Sequence, residues 1–235
     1  MLELLAQVQI QDRSTGEASC IADNGFCPSW IVDNYDRYVD PFVQHVFLTL
    51  ASVAVGFAIA FALALLAHRH RSLIAPITQV TGIMYTLPSI AVFFLLLPLT
   101  GRGNLTAIVA LVAYSLLIIF RNVTAGLDNV PRETKDAGRG MGLTECQLLW
   151  RVELPLALPE IMAGLRIATT TTVGLATLAF FAGAGGLGEQ IFADITFKSN
   201  VVVAGGLAVV LAALLDGLIL LAQWAITPWM RARTA

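Results

Sequence analysis

The side chains that could carry out chemistry do not form a recognisable catalytic or metal-binding set. The three histidines are His45, His68 and His70, and the last two simply flank Arg69 in a basic turn. No Gly-x-x-x-x-Gly-Lys-Ser/Thr loop for nucleotide phosphates occurs. Candidate nucleophiles and histidines fall on opposite sides of the membrane predicted below, so no hydrolase triad is indicated. The sequence therefore predicts no enzyme, no metal site and no cofactor held by this chain.

The cysteines indicate two compartments. Cys20 and Cys27 lie in an acidic N-terminal segment that lacks the basic start and apolar core of a signal peptide. In an oxidising compartment they are able to form a disulfide, whose small loop would add about 2 kcal/mol at most. The alternative is two free thiols in an unstructured tail. Cys146 falls in a segment expected to be cytoplasmic, where a thiol stays reduced.

Unusual residues also lie inside apolar stretches. Asp216 is the single acid in its stretch, and an intramembrane acid is by default a functional hypothesis. It either balances a cationic substrate or bonds a neighbouring helix, and the second interpretation is favoured. Pro88 removes a backbone hydrogen bond and predicts a kink, with Ser89 near enough to bond the freed groups. Pathway lining and an ordinary membrane-helix proline are both open interpretations of this pair.

The elements that must position these residues are membrane helices. The chain is 57% hydrophobic and only 13% charged, whereas soluble domains carry about a quarter charged residues. The charges are clustered between long uncharged stretches, and a bilayer core takes about 20 apolar helical residues to cross. We predict an all-α membrane domain with five spans, near 43–67, 74–98, 104–121, 161–182 and 201–227.

The distribution of basic residues predicts the orientation. Ten of the 14 Lys and Arg residues lie on one side: Arg69, Arg71, the basic residues from Arg121 to Arg166, Arg231 and Arg233. The positive-inside rule assigns that side to the cytoplasm. The N-terminus is then outside and the C-terminus is cytoplasmic, as an odd number of spans requires.

The long connection between the third and fourth predicted spans reads as a helix–turn–helix knob. Pro131 and Glu133 suit the first turn of a helix, which the glycines at 138, 140 and 142 are expected to end. Thr144 and Gln147 have the spacing of a capping box for a second helix. Pro155 and Pro159 are expected to close that helix. The apolar side at Leu148, Leu149 and Trp150 packs either on the chain's own spans or against another protein.

This knob resembles the cytoplasmic loop of permeases of ATP-binding-cassette importers, written E-A-A, three residues, G, nine residues, I-x-L-P. Asp136-Ala137-Gly138 is followed by three residues and Gly142, and nine more lead to Val152-Glu153-Leu154-Pro155. The spacing is kept, with Asp for Glu, Gly for the second Ala and Val for Ile. The segments 86–91 (Thr-Leu-Pro-Ser-Ile-Ala) and 183–188 (Gly-Ala-Gly-Gly-Leu-Gly) are similar to those of the glycine betaine, carnitine and choline subfamily.

The resemblance implies a type I ABC importer permease fold and a division of labour among several proteins. A separate ATPase would bind ATP, an extracytoplasmic binding protein would capture substrate, and a second permease chain would complete the pathway. The coupling residues would be Asp136, Ala137, Gly138, Gly142, Leu154 and Pro155. A side chain at position 142 is expected to collide with the turn or with the docking cleft.

The resemblance also suggests a translocation pathway at Tyr85, Pro88, Ser89 and Asp216, with the aromatic faces of Tyr85, Phe93, Phe94 and Tyr114 available to a quaternary ammonium group. The expected layout is an extracytoplasmic segment 1–40, a permease domain 41–230 with the coupling loop 122–160, and a cytoplasmic tail 231–235. The alternatives are a permease for another small solute, such as an amino acid, and an ATPase-independent secondary transporter. The second of these would need coupling charges or an inverted repeat.

Overall fold

A computed structural model describes residues 20–21 and 24–231, and these residues contain helices but no strand. Most of the predicted segment 1–40 and the tail beyond Arg231 lie outside the described residues. The helices are α1 (Pro28–Asp33), α2 (Val39–Arg69), α3 (Ile74–Thr86), α4 (Ser89–Thr100), α5 (Asn104–Asp128), α6 (Arg132–Gly140), α7 (Glu145–Leu148), α8 (Leu154–Ala176), α9 (Leu187–Ala193), α10 (Lys198–Ile226) and α11 (Pro228–Arg231). Three 3₁₀ turns, Tyr35–Tyr38, Arg71–Leu73 and Ala179–Ala182, join them, and a π-helical turn, Leu149–Glu153, connects α7 to α8.

Three helical segments are long and apolar enough to cross a membrane, namely Tyr35–Arg69, Asn104–Asp128 and Lys198–Ile226. The pair Arg71–Thr86 and Ser89–Thr100 would be a fourth span, broken by a bend of 100°. The fourth predicted span corresponds to α8, which has 23 residues but is not among the segments apolar enough to qualify. Glu160 and Arg166 lower its hydropathy. Each predicted span thus coincides with helix, although one is bent sharply and another is more polar than expected.

Helix α5 lies at the centre of the bundle and packs against α2, α3, α4 and α8. Two glycines allow the close approach of its neighbours. A Cβ at Gly56 of α2 would lie 2.1 Å from Ser115 Oγ, and one at Gly164 of α8 would lie 2.3 Å from Asn122 Cβ. Small residues at crossings are how membrane helices gain packing contacts. Thr169 and Thr172 of α8 are also buried.

The connections gather at two opposite ends of the bundle. At one end, which we call the knob end, Arg71 pairs with Asp128 and His68 contacts Glu153. At the other, which we call the cap end, the backbone N–H of Gly103 donates to Ala182 and that of Lys198 donates to Asn24. This grouping is the one that the charge distribution predicted, with one exception. Arg166 was counted with the basic residues of the cytoplasmic side, although it falls within the predicted span 161–182, and it lies at the middle of α8.

Gly188 tests the packing at the cap end. A Cβ there would lie 1.7 Å from the Thr177 carbonyl oxygen, which is backbone and cannot move aside. We expect Gly188→Ala to lower the free energy of unfolding by about 3 kcal/mol or more, measured as a fall in the melting temperature of the detergent-solubilised protein. Gly174→Ala is the matched control because nothing lies within 4 Å of that position. If Gly188→Ala melts with the wild type, this packing is wrong.

Candidate functional site: the cytoplasmic knob and the membrane polar groups

The knob is a helix–turn–helix, as the sequence predicted. Helix α6 has Glu133 in its first turn, where a carboxylate interacts favourably with the helix dipole. The capping box that begins α7 is confirmed. The Gln147 backbone N–H donates to Thr144 Oγ1 at 3.4 Å, and the Thr144 N–H donates to Gln147 Oε1 at 3.0 Å. These reciprocal bonds fix the direction in which the chain leaves the turn.

The three glycines of the knob have separate roles. Helix α6 ends at Gly140, as predicted, whereas Gly138 lies inside it. A Cβ at Gly138 would lie 2.6 Å from Leu148 Cδ1, so this glycine lets α6 and α7 pack closely. Gly142 has φ +83° and nothing within 4 Å of a would-be Cβ. The expected collision with the turn is therefore wrong, and glycine is favoured there by the left-handed backbone conformation.

The prolines do not close the second helix, contrary to expectation. From Glu145 the helical path continues through the π-helical turn Leu149–Glu153 into α8. Pro155 falls in the first turn of α8, where the change from π to α geometry already interrupts the regular hydrogen bonds, so its missing N–H leaves no new gap. Pro159 lies inside α8 without ending it. The predicted loop 122–160 is consequently mostly helix, and the knob is joined to α8 without a flexible break.

The six predicted coupling residues separate into two layers. Asp136, Ala137 and Gly142 are exposed on the outer surface of the knob. The other three lie beneath it: Gly138 and Leu154 are buried, and Pro155 is partly buried. Leu154 belongs to the core formed with α2 and α5.

The outer surface of the knob is stiffened by one ion pair. The Arg139 guanidinium donates to Glu145 at 2.9 and 3.2 Å and thereby ties α6 to α7. Hydrogen bonding to Arg139 holds the pKa of Glu145 below its ordinary value. The apolar side of the knob is divided, since Leu148 is fully buried while Trp150 is largely exposed. The knob therefore packs on its own chain and still presents an exposed aromatic ring.

The predicted kink at Pro88 is confirmed, and it is a complete break between two helices. Leu87 and Pro88 interrupt the helix, and the axis turns by 100°. The carbonyl of Leu87 accepts a hydrogen bond from the Tyr114 hydroxyl at 2.6 Å, which is the role that Ser89 was expected to fill. The Tyr85 ring lies 6.0 Å from that of Tyr114, edge to face. The structure thus brings Tyr85, Pro88 and Ser89 together at one helix break, with Tyr114 as a residue that the sequence reasoning placed only among general aromatics.

Asp216 lies apart from that break and is paired with Arg166. Arg166 Nε and Nη2 donate to the two carboxylate oxygens of Asp216, each at 2.7 Å. Both side chains are 31% exposed. This bidentate pair joins α8 to α10 and matches the interpretation in which Asp216 bonds a neighbouring helix. The sequence did contain a signal for this pair, because Arg166 and Asp216 are oppositely charged residues within the predicted spans 161–182 and 201–227.

At the cap end, Cys20 and Cys27 are joined by a disulfide with Cα atoms 6.0 Å apart. The loop that it closes is bonded to the start of α10. The Cys27 N–H donates to Ser199 Oγ at 2.7 Å, and that hydroxyl donates to the Gly25 carbonyl at 3.1 Å. The Tyr38 hydroxyl donates a hydrogen bond to Asn200 Oδ1 at 2.8 Å, which adds another attachment to the start of α10.

The helical bundle has a charged helix–turn–helix at one end, in which glycine and proline keep the spacing described above. This arrangement invites comparison with known transporters. The family model described as "binding-protein-dependent transport system inner membrane component" matches residues 43–227. The chain belongs to this family. It is therefore a multi-pass component of a transport system of the inner membrane, and the matched region contains both the knob and the helix break.

Relatives of this inner membrane component share most of its length. The choline transport system permease protein OpuBB of Bacillus subtilis (strain 168) is 37% identical over 187 residues, which cover 79% of this chain and 86% of the relative. The osmoprotectant import permease protein OsmW of Salmonella typhimurium is 36% identical over 206 residues, 85% of this chain and 96% of the relative.

Solved structures define the fold of this inner membrane component. An inward-facing form of the MetNI methionine ABC transporter matches with a TM-score of 0.64 at 27% identity, covering 79% of this chain and 92% of that one. An amino acid ABC transporter structure with histidines matches with a TM-score of 0.70 at 16% identity, covering 83% and 96%. At that identity the second likeness concerns the fold alone. The predicted type I ABC importer permease fold is confirmed.

The Arg166–Asp216 pair generates a stability prediction. Asp216→Leu leaves the Arg166 charge unpaired at membrane depth, whereas the double variant Arg166→Met/Asp216→Leu removes both charges. We expect the single variant to lower the melting temperature and the double variant to recover most of that loss. Thermal unfolding in detergent followed by size-exclusion chromatography provides the measurement. Additive losses in the double variant would contradict the pairing.

Proposed function

We propose that this chain is the membrane-spanning subunit of an ATP-binding-cassette importer for a quaternary-ammonium osmoprotectant such as glycine betaine, choline, carnitine or proline betaine. The observation that carries the proposal is the similarity, above one-third identity over most of the chain, to permeases named for choline and osmoprotectant transport. In this proposal two permease chains, identical or related, form the pathway, and an extracytoplasmic binding protein delivers the solute. The chain itself is no enzyme and holds no cofactor, because a partner ATPase binds the ATP.

The knob is the docking element for that ATPase. Its exposed turn carries Asp136, Ala137 and Gly142, and the knob continues into α8 through helical geometry throughout. A docked ATPase that closes on ATP would move the knob, and the membrane helices would follow. Such a change is a two-state shift driven by the different affinity of the ATPase for its two conformations.

The orientation follows from the charges at the two ends. After Arg166 is removed from the count, the knob end still holds most of the basic residues of the chain, and basic loops stay in the cytoplasm. The knob therefore faces the ATPase compartment. The disulfide of the cap end then lies on the oxidising side, where such bonds persist.

The helix break at Leu87–Pro88 is the segment proposed to line the pathway. Irregular backbone at membrane depth is tolerated where it is buried in protein or lines a water-filled cavity. Tyr85 and Pro88 are exposed and Ser89 is partly exposed in the single chain, so this segment is open to a solute or to the second permease. Asp216 is proposed to act structurally, because its charge already neutralises Arg166.

A second candidate function is import of another small solute, such as an amino acid. The likeness to the MetNI methionine transporter at 27% identity favours this class more than any other alternative. The osmoprotectant proposal is preferred because the permeases named for those solutes are more similar in sequence.

Reconstituted transport tests the proposal. Proteoliposomes containing this chain, its cognate ATPase and its binding protein should take up labelled glycine betaine when ATP is supplied. Gly142→Asp should reduce uptake by roughly tenfold or more, because it puts a carboxylate on the docking turn while Asp still tolerates the left-handed backbone. Nothing lies within 4 Å of that position, so the variant should fold normally.

The matched control is Asn24→Asp at the other end of the bundle. Asn24 is exposed and also has a positive φ, +52°, so the change adds a carboxylate without a new backbone strain. Uptake should stay within about twofold of the wild type. If Gly142→Asp transports normally, the docking assignment fails. If the wild type transports methionine but no quaternary-ammonium solute, the importer class stands and the osmoprotectant is wrong.

Cys146 reports both the orientation and the docking. It is an exposed free thiol in α7, while Cys20 and Cys27 are joined in the disulfide. A membrane-impermeant maleimide should label Cys146 in inverted vesicles and leave it unlabelled in right-side-out vesicles. Bound ATPase should slow labelling by about tenfold or more, because the docked thiol is excluded from solvent. Labelling from the outside would reverse the orientation, and an unchanged rate with ATPase bound would contradict docking at this turn.

A further inference from the structure

Glu153 is unusual because it is the one buried carboxylate in the part of the chain that the structure describes, with only 4% of its surface exposed. It occupies the position between Val152 and Leu154, the variable position of the I-x-L-P segment. A carboxylate removed from water is destabilising unless opposite charges surround it. Lys135 supplies such a charge, and the His68 ring lies against the same carboxylate, each from another helix.

A histidine and a lysine reach Glu153 from different directions. His68 Nε2, in the last turn of α2, lies 2.6 Å from Glu153 Oε2. Lys135 Nζ, in α6 of the knob, lies 3.5 Å from Glu153 Oε1 and also donates to the Leu127 carbonyl at 3.1 Å. Leu127 lies near the end of α5. We call this set of Glu153, His68, Lys135 and Leu127 the Glu153 junction, and it joins the knob to α2, α5 and α8.

The junction lies where the helical path is least regular. Glu153 is the last residue of the π-helical turn that connects α7 to α8. π-helical turns have an extra residue and a disturbed ladder of hydrogen bonds, and they occur often at functional sites. A push on the knob could be absorbed by bending at this turn. Braces from His68 and Lys135 oppose such bending, because both side chains are themselves largely buried, with 19% and 13% of their surfaces exposed.

We propose that Glu153 is a positioning residue for coupling: with His68 and Lys135 it braces the π-helical turn, so that displacement of the knob moves α2, α5 and α8 together. This inference rests on the proposed function, in which a docked ATPase displaces the knob. The residue touches neither ATP nor the transported solute. Its effect is on how much of the knob's movement reaches the membrane helices.

The test is the number of solute molecules transported per ATP hydrolysed. Glu153→Gln keeps the size of the side chain and its capacity for hydrogen bonds but removes the charge that attracts His68 and Lys135. In the complete complex with ATPase and binding protein, the variant should assemble and hydrolyse ATP at a rate near that of the wild type. Solute transported per ATP should fall roughly fivefold or more, the scale of coupling within a buried charge network.

Asp128→Asn is the matched control at the same end of the bundle. Asp128 pairs with Arg71 at 3.1 Å, but both side chains are well exposed, at 44% and 66%, and exposed pairs contribute little. Its ratio of transport to hydrolysis should change by less than about twofold. An equal fall in the control and in Glu153→Gln would overturn the assignment, because any loss of charge at this end would then have the same effect.

A double variant distinguishes bracing from simple packing. His68→Gln should lower the transport-to-hydrolysis ratio by itself, and His68→Gln/Glu153→Gln should be no worse than Glu153→Gln, because both changes break one contact. If Glu153→Gln transports as much solute per ATP as the wild type, the proposal is overturned. It is also overturned if Glu153→Gln assembles poorly but the complexes that do form keep the wild-type ratio of transport to hydrolysis. If the proposed function is wrong, the wild-type complex itself will not transport solute at the expense of ATP. If only this inference is wrong, the wild-type complex will transport normally and the variants will not show the expected ratios.

Discussion

The interior of a lipid bilayer offers no hydrogen-bond partners, and every other feature of this chain follows from that constraint. Long helices satisfy their own backbone groups, which is why α2, α5 and α10 dominate the architecture. Where the helix breaks at Leu87–Pro88, the Tyr114 hydroxyl bonds a carbonyl that the break leaves free. Where a charge enters α8, a carboxylate on α10 meets it with two hydrogen bonds.

The same constraint moves the remaining charges to the two ends of the bundle, where they hold the connecting segments in place. At the knob end, ion pairs hold α6, α7 and the ends of the long helices in one arrangement. At the cap end, hydrogen bonds between neutral groups and a disulfide hold the N-terminal loop on α10. Between these ends the bundle is held by close helix packing at small residues.

Local rules predicted the features that depend on nearby residues. The capping box at Thr144 and Gln147 needs only a three-residue spacing, and the break at Pro88 needs only the missing N–H. The spacing from Asp136 to Pro155 was enough to indicate the family. The positions of the long helices followed from the absence of charge, because an uncharged stretch of sufficient length has few other stable conformations in a membrane.

Features that depend on distant partners could not be predicted in this way. Arg166 was counted with the basic residues of the cytoplasmic side, and its partner lies 50 positions away on another helix. Glu153 looked like a variable position of a motif, and its burial depends on His68 from another helix. The continuation of the helix past Pro155 also escaped local rules, since they treat proline as a stop and do not anticipate a π-helical turn before it. Tyr85, Pro88 and Ser89 were correctly grouped because they are neighbours in sequence. Asp216 was added to that group only because it is a polar residue within a predicted span.

The attachment of the N-terminal loop to α10 has a consequence for how the protein is made. Cys27 and Ser199 are 172 positions apart, and Gly25 and Ser199 are 174 apart. Chains emerge from the ribosome N-terminus first, so the loop is synthesised long before the helix that receives it. Its buried partners therefore exist only after nearly the whole chain has entered the membrane. This loop therefore reaches its native environment only after α10 has been synthesised.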